Sequence, residues 1–139
     1  MCCVFPEGKT TCIRGRSGCG KTTLIRLLLG LDIPDKGKIE GISDRKISAV
    51  FQEDRLCENL SAASNIRLVC TETISDRELE EAYKAVALTE VWQKPVRELS
   101  GGMRRRVSIL RALLADSDCV IMDEPLRGLD EKTRTKTID

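Results

Sequence analysis

The chain has 139 residues, with 23 Lys and Arg against 22 Asp and Glu, for a formal charge of +1. That balance excludes the basic footprint of a nucleic-acid binder and the polybasic patch of a membrane-surface anchor. A hydrophobic content of 41% suffices for a core, 32% charged residues argue solubility rather than disorder, and no apolar run reaches the ~20 residues of a span.

The N-terminal stretch Met1-Cys2-Cys3-Val4-Phe5 has no basic n-region and meets Pro6-Glu7-Gly8 too early for a signal peptide, so a cytosolic protein is expected. Thr10–Arg14 is rich in β-formers and runs into Gly15, which predicts a strand. A helix is predicted from Gly20 to Gly30, ended by that glycine with Pro34 just beyond. Turn residues around Ile39 and Ile42 suggest a hairpin over Asp35–Ser43. Ile47–Phe51 reads as a short strand and Ser61–Cys70 as a helix. Ser75-Asp76-Arg77-Glu78 has capping-box spacing and opens a helix through Leu88. Ser100 is a further N-cap, and the helix behind it carries Met103, Val107, Leu110 and Leu114 on one face. Cys119–Met122 is a buried-type strand ending in two acids, and Asp130 can cap a last helix. The strand–loop–helix alternation argues an α/β fold with a parallel sheet.

Seven cysteines, no C-x-x-C pair and no histidine leave a metal site without spacing support. They read as free thiols of a reducing compartment. Arg104-Arg105-Arg106 reads as a solvated helix face at this net charge.

Gly15-Arg16-Ser17-Gly18-Cys19-Gly20-Lys21-Thr22 fits G-x-x-x-x-G-K-[ST], with Thr23 next in the predicted helix. A triphosphate needs many donors converging on a tight curve. Glycines let successive N–H groups point inward, and the helix start adds its positive end. Lys21 supplies a mobile cation for the β- and γ-phosphates, and the Thr22 hydroxyl can ligate Mg2+. The phosphate loop therefore implies ATP and Mg2+ as ligands. At the other end of the chain, Cys119-Val120-Ile121-Met122-Asp123-Glu124 places two carboxylates at the carboxyl end of a strand, where ligands of parallel sheets collect. Asp123 fits a Mg2+ role and Glu124 the polarisation of an attacking water. Leu99-Ser100-Gly101-Gly102-Met103 puts a hydroxyl and two glycine N–H groups at a helix start, which is a second anion site by the same physics or an ordinary serine cap. Two such helix starts in one chain suggest a nucleotide shared between two subunits.

In this order the motifs resemble those of the ATP-binding cassette (ABC) ATPases along nearly the whole chain. Gly15–Thr22 corresponds to Walker A, Gln52 to the Q-loop glutamine, Leu99–Met103 to the signature, Cys119–Glu124 to Walker B and Gly128-Leu129-Asp130 to the D-loop. Val50–Leu56 and Asp123–Leu126 look like import-type cassettes, in particular the nitrate/sulfonate/taurine group. The resemblance implies a P-loop NTPase core, a mostly parallel sheet flanked by helices, over 1–54 and 100–139. A helical subdomain would be inserted between Q-loop and signature, at about 55–99. It also implies that Gln52 lies near the Mg2+ and the attacking water, and that two cassettes dimerise head-to-tail around two ATP molecules. Ser100, Gly101 and Gly102 would then face the partner's nucleotide, and Asp130 would make a dimer contact. The helical subdomain would receive a membrane permease, placing the protein on the cytoplasmic side of the cell membrane with ATP hydrolysis driving transport. A non-transport ABC module, or a nucleotide-binding remnant without turnover, are the alternatives. The family's first strand, adenine-stacking aromatic and switch histidine have no counterpart here, so an incomplete cassette with weak hydrolysis of its own is expected.

Overall fold

The computed structural model describes residues 2–89 and 91–129, in two compact units that divide between Glu40 and Gly41. In the first unit the one helix is α1 (Lys21–Leu28). Its C-terminus follows the sequence signal. Gly30 adopts φ 66°, Gly30 N–H donates to Leu27 O at 3.1 Å, and Leu31 N–H donates to Arg26 O at 2.9 Å. This is the Schellman ending that a left-handed glycine permits. The Arg26 guanidinium then pairs with Asp32 at 2.6 and 2.8 Å, and its hydrogen bonds hold that carboxyl below its ordinary range.

Two expectations for this part of the chain fail. Thr10–Arg14 forms no strand, because β-formers favour a paired, half-covered surface and these residues are exposed without a ladder partner. Asp35–Ser43 forms bends rather than a hairpin. Gly37 and Gly41 turn the chain at φ 94° and 77°, and Lys38 pairs with Glu40 on the surface instead of across a ladder.

The second unit holds β1 (Ile47–Val50), α2 (Ala62–Arg67), α3 (Asp76–Ala85), a 3-10 turn at Val96–Glu98, α4 (Gly101–Leu113) and β2 (Cys119–Met122). The two strands pair in parallel, with Ile47 opposite Cys119 and Val50 opposite Met122. This bears out the α/β expectation, and β2 has the bounds its sequence indicates. The sheet is anchored at its start by Lys46, whose N–H donates to Asp118 at 2.9 Å and whose ammonium pairs with Asp116 at 2.6 Å. Serine caps start all three α-helices among the described residues of this unit. Ser61, Ser75 and Ser100 each accept from the N–H three residues on, and Glu78 completes the reciprocal box with Ser75. The helix from Ser75 stops at Ala85 rather than Leu88. Leu88 N–H bonds back to Tyr83 O at 2.8 Å while Ala87 takes φ 55°.

Helix α4 is shared by two apolar clusters. Its Val107 and Leu110 join Ile66, Leu79, Tyr83 and Val96 in the larger one, with Met103 and Leu114 packed at the margin. Its Ile109 and Ala112 pack with Val50 and Met122 of the sheet. The predicted stripe at 103, 107, 110 and 114 is therefore one of two, the second lying at 105, 109 and 112.

In the larger cluster, the Tyr83 hydroxyl is fully buried with no hydrogen-bond partner among the described residues, and burial pushes the phenol far above its ordinary pKa. An unsatisfied buried polar atom costs about 1–3 kcal/mol. Tyr83→Phe is therefore expected to raise the unfolding free energy by about 1 kcal/mol in a urea titration. A lowered midpoint would show that the hydroxyl has a partner.

Candidate functional site

The glycine-rich segment forms a tight loop ahead of α1. Cys19 N–H closes it onto Arg16 O at 3.3 Å. A Cβ at Gly15 would meet Cys19 Sγ at 2.6 Å, so a larger residue there would have to turn the Cys19 side chain aside. Gly20 is the N-cap of α1 at φ 95°, a conformation that L side chains rarely adopt. Lys21 folds back over the loop. Its ammonium donates to Gly15 O at 2.9 Å and Arg16 O at 3.0 Å, and lies 4.0 Å from Cys19 Sγ. Arg16, Ser17, Gly18 and Cys19 are exposed, as are Thr22 and Thr23 in the first turn of the helix.

Among the described α-helices, α1 is the one whose N-cap makes no side-chain hydrogen bond, and its first turn carries no acidic residue. Gly20 thus provides no N-cap side-chain acceptor of the kind that serine supplies elsewhere, while a cation sits on the loop before the helix. Such a helix start suits an anion. The residues present thus fit a phosphate ligand.

In the second unit, the carboxyl ends of the two strands lead into two loops. After β1 comes Phe51 to Leu56, with Gln52 exposed, Arg55 at φ 47° and the Arg55 guanidinium 3.7 Å above the Phe51 ring. After β2 come Asp123 and Glu124. Asp123 is 7% exposed and its N–H adds a last rung to Val50 O at 2.8 Å. Glu124 is exposed at φ 47°, with Arg127 at 3.4 Å from its carboxylate. Gln52, Asp123 and Glu124 thus lie on neighbouring loops at one end of the sheet. Among the described residues no group of His, Cys, Asp and Glu alone forms a metal cluster. A Mg2+ ion held by one or two protein oxygens, with water and substrate phosphates as its other ligands, needs no such cluster.

Ser100 caps α4 by accepting from Met103 N–H at 3.3 Å. Gly101 is exposed with nothing within 4 Å of a built Cβ, and Gly102 would meet only Leu129 at 3.7 Å, an ordinary contact. Asp130 and the helix expected behind it lie outside the described residues. All seven cysteines are free, as their spacing suggests.

The arginine triplet overturns its expected role, because none of the three forms a solvated face. Arg104 pairs with Glu58 at 3.3 Å and donates to Arg97 O and Leu99 O. Arg106 donates to Val86 O and Ala87 O, both at 2.8 Å. Arg105 is 4% exposed and donates to carbonyls of both loops described above. A signal for Arg105 was present in its spacing: with Ile109 and Ala112 it forms an i, i+4, i+7 stripe, which turns it toward the sheet.

Residues 3–127 match the sequence family described as ABC transporter. The chain is 39% identical over 130 residues to the aliphatic sulfonates import ATP-binding protein SsuB 3 of Paraburkholderia xenovorans, covering 94% of this chain and 52% of that protein. It is 36% identical to the trehalose/maltose import ATP-binding protein MalK of Thermococcus litoralis, covering 94% of this chain and 40% of that protein. It thus spans about half or less of the length of these relatives. Among solved structures, RNase-L Inhibitor superposes with a TM-score of 0.74 at 30% identity, over 87% of this chain and 23% of that one.

If the Lys21 ammonium contacts phosphate, Lys21→Ala is expected to weaken ATP binding at least tenfold, as loss of a charge-assisted bond costs about 1.5–3 kcal/mol. Lys38→Ala, which removes only a surface pair with Glu40, is expected to leave it unchanged. Equal affinities of the two variants in titration calorimetry would refute the phosphate loop.

Proposed function

The chain belongs to the ABC transporter family, and on that premise we propose that it is the ATP-binding part of an import-type transporter, of the group that includes the sulfonate import proteins. The observation that carries this reading is the loop of Gly15 to Thr22, with Lys21 poised over the start of an anion-ready helix. Gly15 to Gly20 would wrap the phosphates of ATP with backbone N–H groups, and Lys21 would exchange its two carbonyl partners for phosphate oxygens. Thr22, Gln52 and Asp123 would hold Mg2+, and Thr23 would extend the phosphate contacts. When bound, Mg2+ neutralises charge on the β- and γ-phosphates. Glu124 would orient and polarise the attacking water.

Head-to-tail pairing with a second subunit gives the glycines at the start of α4 a purpose. Glycine inside a helix costs about 1 kcal/mol relative to alanine, and among the described residues no neighbour crowds Gly101. A phosphate approaching from a partner would need both backbones bare, with the N–H groups of Ser100, Gly101 and Gly102 in reach. Asp130 would contribute to the same interface. The segment of about 55–99, rich in short helices, would receive the permease and place the protein on the cytoplasmic face of the membrane. No described helix is long and apolar enough to cross one.

The test is Glu124→Gln. The side chain is exposed and its one ion pair is long, so the amide should keep the fold. ATP binding is expected to stay within about twofold of wild type. Single-turnover hydrolysis, expected to be weak in the wild-type chain itself, should fall by a further ~10²-fold or more, the share of a general base, while a MgATP-dependent dimer accumulates in sedimentation. Unchanged hydrolysis would remove Glu124 from the chemistry.

A further inference from the structure

We infer that Arg105 is a positioning residue, a guanidinium staple that fixes the loop bearing Gln52 and the turn bearing Asp123 and Glu124 as one unit. The inference rests on the reading of that site given above.

The geometry begins at the last rung of the sheet. Val50 and Met122 are the final register pair, and Asp123 N–H still reaches Val50 O at 2.8 Å. Beyond this point the two chains form no further rung, and their carbonyls need other donors. Arg105 supplies them. Its Nη1 donates to Phe51 O, with Gln52 O at 3.5 Å and Asp54 Oδ1 at 3.4 Å. Its Nη2 donates to Asp123 O at 2.9 Å and Glu124 O at 2.7 Å, and its Nε to Pro125 O at 2.9 Å. One side chain, itself 5% exposed, thus joins both loops.

The backbone is constrained at the points where arginines of α4 hold it. Arg55 and Glu124 both have φ 47°, a left-handed conformation that non-glycine residues keep only where the surroundings over-determine it. Each has its carbonyl held by an arginine of α4. Arg111 donates to Arg55 O at 2.8 Å and to Asp54 O at 3.2 Å, and Arg105 holds Glu124 O. The planar guanidinium is also needed. It offers five N–H donors in a rigid fork, whereas a lysine ammonium offers three from a point on a flexible stem. Arg105 touches no reacting atom in this arrangement. It acts through Gln52, Asp123 and Glu124.

The test uses Arg105→Lys, which keeps the charge, and Arg105→Gln as a second variant should the first fail to fold. Hydrogen exchange is expected to speed up by about tenfold or more in both 51–56 and 123–128, as befits loss of charge-assisted bonds. Exchange in α3 should stay as in wild type. The second readout is the factor by which Mg2+ tightens ATP binding. Arg105→Lys should remove most of that factor while leaving Mg2+-free ATP affinity within about twofold. Adding it to Gln52→Ala should cost less than it costs in the wild-type background, because part of its effect runs through Gln52. General destabilisation would instead speed exchange everywhere and spare the Mg2+ factor. Acceleration in only one of the two segments, or an intact Mg2+ factor, would overturn the inference. If wild-type protein shows no Mg2+-dependent ATP binding, the site reading itself falls and the inference with it, a failure visible before any Arg105 variant is made.

Discussion

The second unit depends on one buried cation. A guanidinium taken out of water costs several kcal/mol unless its donors are met, and Arg105 meets that requirement with carbonyls from two separate loops. The arrangement works in both directions. The loops give the cation its partners, and the cation gives loop carbonyls beyond the last rung of the sheet theirs. Helix α4 holds this group in place because it is packed on two sides. Val107 and Leu110 fix it to the helical cluster, and Ile109 and Ala112 fix it to the sheet. A shift of α4 would move both loops at once, linking the helical segment to the residues proposed to hold Mg2+ and water.

The first unit relies on the opposite device, a helix start left without a side-chain cap. Ser61, Ser75 and Ser100 close α2, α3 and α4 with their own hydroxyls, whereas Gly20 offers α1 none. Lys21 meanwhile rests on the carbonyls of Gly15 and Arg16. The ammonium makes these bonds charge-assisted, but both acceptors are neutral carbonyls on an exposed loop, so an anion of several charges would compete well for it. On the proposed reading the loop exchanges neutral internal acceptors for charged external ones.

Much of this was legible in the sequence because local rules governed it. The helix starts at Ser75 and Ser100, the end of α1 at Gly30 and the bounds of β2 all follow from capping, glycine conformation and apolar runs. The segment Thr10–Arg14 failed because strand propensity has no meaning without a partner strand. Asp35–Ser43 failed for the same reason, its glycines making bends where no ladder forms. The arginine triplet departs from the solvated face expected of it because net charge says nothing about an individual side chain. Arg105 becomes visible only when its spacing to Ile109 and Ala112 is weighed against its charge. The positions of Gln52 and Glu124 beside one another could be expected from strand ends, but not the staple between their backbones.

The central claim is that the loop from Gly15 to Thr22 is where nucleotide binds, and the chain carries its own reporter of this. Cys19 is exposed within the loop, its sulfur 4.0 Å from the Lys21 ammonium, while Cys2, Cys3, Cys12 and Cys57 are exposed elsewhere and serve as controls. Alkylation rates of each thiol, read by mass spectrometry with and without saturating MgATP, test the claim directly. The account predicts that nucleotide protects Cys19 and leaves Cys57 unaffected. Labelling of Cys19 at the same rate while ATP is bound would contradict it.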